Sequence, residues 1–180
     1  LGAVTKVTLD VQPAFDVTQH VYQNLPLKEL ESHFDEIFST GYSVSLFTDW
    51  QKQNINQIWV KLRIDHSESS TVAPELFGAV LAKRDLHPIE TISAVNCTPQ
   101  MGVPGPSHER LPHFRMDFTP SSGEELQAEY FVPRTNAYAA LLEVDKLRDK
   151  VAPLLQISEI RSIAADEFWM SPCYKQDSVA

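Results

Sequence analysis

Cysteine is scarce: Cys97 and Cys173 are the only two in 180 residues. Two thiols in a chain of this size make no disulfide scaffold, and they read as reduced thiols of a cytoplasmic protein. Long apolar runs are missing too, since none approaches the roughly 20 residues of a membrane span. Cationic charge is in short supply: 15 Lys and Arg against 24 Asp and Glu leave a formal charge of −9. A chain this acidic has no basic face for nucleic acid or an anionic membrane, so neither is expected as a partner. Targeting signals are absent from both ends. Asn96-Cys97-Thr98 fits the glycosylation pattern, a chance match without signs of secretion.

What is present suits one folded domain. Apolar residues make up 43% of the chain, and about two-thirds of the unfolded surface of a chain this long can be buried. Period-2 alternation predicts strands over 4–11, 15–22, 42–47, 58–64, 125–132 and 157–164. In the clean run over 58–64, Ile58, Val60, Leu62 and Ile64 point inward and Trp59, Lys61 and Arg63 outward. An aromatic on a basic face could stack RNA, but the net charge favours a solvated sheet face. A helix is predicted over 27–38, where Leu27, Leu30, Phe34, Ile37 and Phe38 form one stripe and Gly41 follows as a stop. A second is predicted over 136–151, capped by Thr135, and a short one over 75–83. His33 lies off its stripe and reads as solvated.

Between residues 86 and 120 the chain carries six prolines, which few helices or central strands would survive. Phe114, Met116 and Phe118 favour an ordered loop packed on the body. His108 and His113 flank Glu109, yet the prolines exclude the helix that would bring them to one metal, and no metal is expected. Ser107 beside them lacks the context of a nucleophile elbow. The alternation of helices and strands predicts an α+β domain, mainly antiparallel, with helices on one face and a duplicated ferredoxin-like pattern. The strand–helix–strand unit over 125–164 predicts two parallel neighbouring strands.

The candidate site lies on the strand over 157–164. Glu159 and Arg161 share one face there, opposite Ile160 and Ala164. Opposite charges at i and i+2 either make a surface ion pair of little worth or serve one small polar ligand together. Gln127, on the parallel neighbour, would join them, giving an amide, a carboxylate and a guanidinium that can satisfy vicinal hydroxyls.

Several blocks carry a resemblance: Glu159-Ile160-Arg161, Ala164-Ala165-Asp166, Trp169-Met170-Ser171-Pro172, the run from Tyr42 to Trp50, Val95-Asn96-Cys97-Thr98 and Gly102 to Pro106. The runs from His108 to Arg115 and from Phe118 to Gly123 belong with them. Together they resemble the substrate-binding (cap) domain of bacterial alditol (xylitol) oxidases, FAD-linked enzymes of the vanillyl-alcohol-oxidase type. The resemblance implies a C-terminal cap domain over 13–180, truncated at its end, with residues 1–12 closing a flavin-binding domain. It implies hydride transfer from a terminal carbinol of xylitol or sorbitol to FAD, with dioxygen reduced to hydrogen peroxide, in a monomeric enzyme. Arg161 would stabilise charge at the reacting oxygen, while Glu159 would accept hydroxyls and hold Arg161. The flavin-holding residues and further active-site residues would lie outside this chain, which alone should be inactive. Sugar-lactone oxidases share the Glu-x-Arg pair, and a non-catalytic polyol-binding module remains open.

Overall fold

The computed structural model describes residues 3–64, 72–119 and 125–180. Its centre is a βαββ unit: β1 (Asp16–Pro26), α1 (Glu29–Phe38), β2 (Ser43–Thr48) and β3 (Asn54–Ile64). The two 11-residue strands β1 and β3 pair antiparallel, and β3 pairs antiparallel with β2, giving the order β1-β3-β2. The same connectivity recurs in β7 (Val132–Pro133), α3 (Ala137–Asp145) with α4 (Arg148–Val151), β8 (Ser158–Ile163) and β9 (Ser178–Val179). Here β9 lies between β7 and β8, antiparallel to both. The units join through β2 and β8. The result is α+β and mostly antiparallel, with the expected duplication present as two βαββ units.

One face of this sheet carries the main core. Leu46, Ile58, Val60 and Ile160 pack there with Leu30 and Ile37 of α1 and Leu141 of α3. Leu30 and Ile37 are fully buried, so the sequence stripe is the packed face. The requirement at Gly41 is steric: a Cβ there would stand 2.8 Å from the Lys61 carbonyl oxygen and from Val60 Cγ1.

The opposite face is also covered. Val21, Phe47 and Trp59 are buried beneath Ala82, which follows β5, and Leu86, Cys97 and Phe114 of the proline-rich loop. The loop is therefore packed on the body, and it buries Trp59 and Lys61 on the β3 face expected to be solvated, while Arg63 stays exposed. Trp59 is 0% exposed and Lys61 1%. The loop is pinned by a Cys97–Phe114 bridge and by the Gln100 side chain, whose amide donates to the Leu86 carbonyl at 2.6 Å. It also supplies the short strand β6 (Gly105–Pro106) and the helical turn α2 (Ser107–Arg110).

Other expectations need correction. Residues 75–83 form no helix; β4 (Glu75–Leu76) and β5 (Ala79–Leu81) make a hairpin. Its turn residues Phe77 and Gly78 both have positive φ, the geometry that lets a two-residue turn follow strand twist. Residues 3–11 form no strand, and Val4, Val7, Leu9 and Val11 are exposed. The strand expected over 125–132 shrinks to Val132–Pro133. Its direction is nevertheless parallel to β8, with β9 interposed. The helix over 136–151 breaks into α3 and α4, and a 3-10 turn over Arg134–Asn136 replaces the Thr135 cap. Within the expected loop over 66–72, residues 66–71 lie outside the described residues.

Candidate functional site

Strand register builds the site. In the β2–β8 ladder Glu159 stands opposite Phe47 and Arg161 opposite Ser45, while in the β2–β3 ladder Ser45 stands opposite Trp59 and Ser43 opposite Lys61. Because side chains alternate across a strand, all seven share the loop-covered face. β8 is paired with β2 over residues 158–161 and with β9 over 162–163, so at Arg161, which also bonds the Ala180 backbone, it is no edge strand. Glu159 and Arg161 thus sit at the seam between the two units, where the loop's cover ends.

The carboxylate of Glu159 is held from the loop. His113 Nε2 lies 2.9 Å from Glu159 Oε1 and 3.3 Å from Ser45 Oγ. The ring is wedged edge-on against Phe47 and Trp59, with centroids 5.5 and 5.2 Å away. Its backbone is fixed as well, because the His113 carbonyl accepts from the Thr98 amide at 3.0 Å. Behind the ring, Lys61 Nζ donates to the carbonyls of Leu111 and of Pro112, the latter at 2.9 Å, and lies 3.3 Å from His113 Nδ1. Each anchor is a buried polar group with a partner, as burial requires.

Charge follows from these contacts. Burial would raise the pKa of Glu159. Hydrogen bonds from His113 and Ser45 and the charge of Arg161 outweigh it, so the carboxyl lies below its ordinary value. It is an acceptor at neutral pH. Burial pushes the Lys61 ammonium down to about 7, against the opposing pull of Glu159. The Glu159 side chain remains 29% exposed, so a ligand can still reach it. Arg161 is 48% exposed and pairs with Glu129.

Arg161 and Glu159 therefore share a face as the sequence predicts, but the carboxylate that holds Arg161 is Glu129 rather than Glu159. Gln127 hydrogen-bonds to neither Glu159 nor Arg161. It lies in an exposed segment without strand structure, its amide 3.4 Å from Glu125 Oε1. Losing the strand over 125–131 removes the face that Gln127 was to share. The histidines separate: His108 is 75% exposed on α2, while His113 turns to Glu159. His113, Lys61, Ser45 and Glu129 escaped the sequence reading. One signal pointed to the first three, since Val21, Phe47 and Trp59 all fall on the face read as solvated.

The concavity of about 710 Å3 between Gln23, Arg84, His87, Glu90, Cys97 and Arg115 includes neither Glu159 nor Arg161. The pair forms an open wall. Such a wall offers a hydroxylated ligand one anionic acceptor and one cationic donor, side by side.

No protein-family profile matches the chain. Over all 180 residues it is 51% identical to an alditol oxidase of Streptomyces sp. (strain IKD472 / FERM P-14339). It spans 42% of that relative, less than half its length. Along its whole length, then, the chain matches one part of a bacterial alditol oxidase.

Proposed function

We propose that these residues form the substrate-binding part of an FAD-dependent oxidase. It converts the terminal CH–OH of an alditol such as xylitol or sorbitol to an aldose, while dioxygen is reduced to hydrogen peroxide. The observation carrying this reading is the seam itself. An ionised carboxylate with one oxygen held from behind stands two residues from a half-exposed guanidinium, on one sheet face. Vicinal hydroxyls can donate to Glu159 and accept from Arg161. As negative charge develops on the reacting oxygen, the fixed charge of Arg161 stabilises it. Glu129 restrains the guanidinium meanwhile, and the N–H groups of Arg161 that Glu129 does not engage donate to the ligand. The flavin, when bound, supplies the hydride acceptor. Arg161 fits it at one point, as a permanent cation with half its surface open, and the rest of its binding falls to parts of the protein beyond these residues.

On this reading residues 13–180 are a cap domain and 1–12 its join to a flavin-binding domain, in a monomeric cytoplasmic enzyme. The test follows peroxide formation by the full-length protein with xylitol, sorbitol and an aldonolactone, beside Arg161→Ala. We expect turnover of the alditols, with kcat in the variant lower by about a hundredfold or more. Turnover of the lactone alone would replace the substrate class. Undiminished activity in Arg161→Ala would overturn the site.

A further inference from the structure

The surroundings of Lys61 have a consequence for the proton on His113. An ammonium has three N–H donors and no acceptor. At Lys61 the three find the carbonyl oxygens of Leu111 and Pro112 and the Nδ1 of His113. With Lys61 charged, Nδ1 must accept, and an accepting Nδ1 carries no proton. The neutral ring then bears its proton on Nε2, the nitrogen facing Glu159 Oε1 at 2.9 Å. We propose that Lys61 is a positioning residue for polyol binding. By filling Nδ1 of His113, it fixes the tautomer whose Nε2–H holds one oxygen of Glu159 and leaves the other for a substrate hydroxyl.

This deepens the oxidase reading and rests on it for the identity of the ligand. Phe47, Trp59 and the Thr98 amide also hold the ring, so Lys61 shares its placement through the Leu111 and Pro112 carbonyls but alone faces Nδ1. Without the ammonium, Nδ1 is free to take a second proton, and the imidazolium then draws more of the Glu159 charge to itself, leaving a weaker acceptor for a hydroxyl. The charged groups that touch the ring are Lys61 from β3 and Glu159 from β8, and beyond Glu159 stands Arg161 of β8, paired with Glu129 from the segment before β7. A buried lysine on a sheet face otherwise filled by Phe47 and Trp59 is costly, and its action on His113 explains what the cost secures.

The first measurement is the imidazole 15N spectrum of the full-length protein labelled at histidine, with the His113 signals identified by their loss in His113→Gln. At about pH 6, on the charged side of a Lys61 titration near 7, we expect an unprotonated Nδ1 and a protonated Nε2. A protonated Nδ1, alone or in an imidazolium, would overturn the proposal. The second is kinetic. At the same pH of about 6, where Lys61 is charged, Lys61→Met should raise the alditol KM about tenfold, the worth of one charge-assisted hydrogen bond, with a smaller change in kcat. His113→Gln offers Glu159 an amide N–H that has no tautomer to choose, so adding Lys61→Met to it should raise KM no further. An equal KM penalty in both backgrounds would show that Lys61 only supports the fold, and the proposal would fall. Should Lys61→Met not fold, the tautomer in the wild-type protein decides. Should no polyol turn over, the oxidase reading fails, while the spectrum still decides how Lys61 acts on Glu159.

Discussion

The two βαββ units have one connectivity and opposite finishes. In the first, β1 and β3 run 11 residues each, helices cover one face and the proline-rich loop covers the other. In the second, β7 and β9 are two residues long, and Leu126, Tyr130, Leu154, Phe168 and Trp169 stand exposed around β8. One topology thus provides a rigid platform and an open wall. The site uses both: Ser45, Lys61 and the loop's His113 are held by the buried unit, whereas Arg161 and Glu159 reach out from the open one. A binding group gains from this division, since preorganised support reduces the freedom it must lose on binding.

The comparison breaks most visibly at Trp59. Trp59→Ala should cost about 3–5 kcal/mol in denaturant unfolding of the protein carrying this chain. It removes the surface on which both the loop and His113 rest, so limited proteolysis should begin cutting within residues 82–118. A loss below about 1 kcal/mol would mean that the loop side of the first unit bears little load. Leu141→Ala should cost less, about 2–3 kcal/mol, because Leu141 is smaller than Trp59 and is 8% exposed where Trp59 is fully buried.

The pH dependence of stability sharpens the same contrast through Lys61. Its pKa is lowered on folding, from an ordinary value of ~10.4 to about 7. Between those values the unfolded chain binds more protons than the folded one, so stability rises with pH. The advantage is complete above the unfolded pKa and is lost as pH falls through about 7. Measured against Lys61→Met from about pH 6 to about pH 9, the wild-type protein should gain stability, at most about 1.4 kcal/mol per pH unit. A flat difference would mean that the folded site keeps Lys61 charged throughout. The smallest effect belongs to the open unit: Leu154→Ser, at a position 88% exposed, should change stability by no more than about 0.5 kcal/mol. A larger loss would show that this surface is buried in the whole protein.

Legibility in the sequence followed contact range. The period of 3.6 residues located α1, and period 2 located β2, β3 and β8, because one-sided burial writes its own pattern. It failed at 75–83, where Phe77 and Gly78 at positive φ close a hairpin that propensity alone does not reveal. It failed again at 125–131, where the alternation of Gln127 and Glu129 with Leu126, Ala128 and Tyr130 finds no strand partner among the described residues. Glu159 and Arg161 were readable as a pair because both lie on one short strand. Lys61 and His113, 52 residues apart, left no local pattern to read.

By itself the sequence determined the α+β class, the duplicated strand–helix pattern, the packed loop and the shared face of Glu159 and Arg161. Each is settled by neighbours a few residues away or by summed apolar content. Only the tertiary structure decided that Trp59 and Lys61 of β3 are buried, that Glu129 rather than Glu159 holds Arg161, and that His113 stands between Lys61 and Glu159. Those outcomes depend on which distant segment covers which face, and a period within one strand carries no information about its cover.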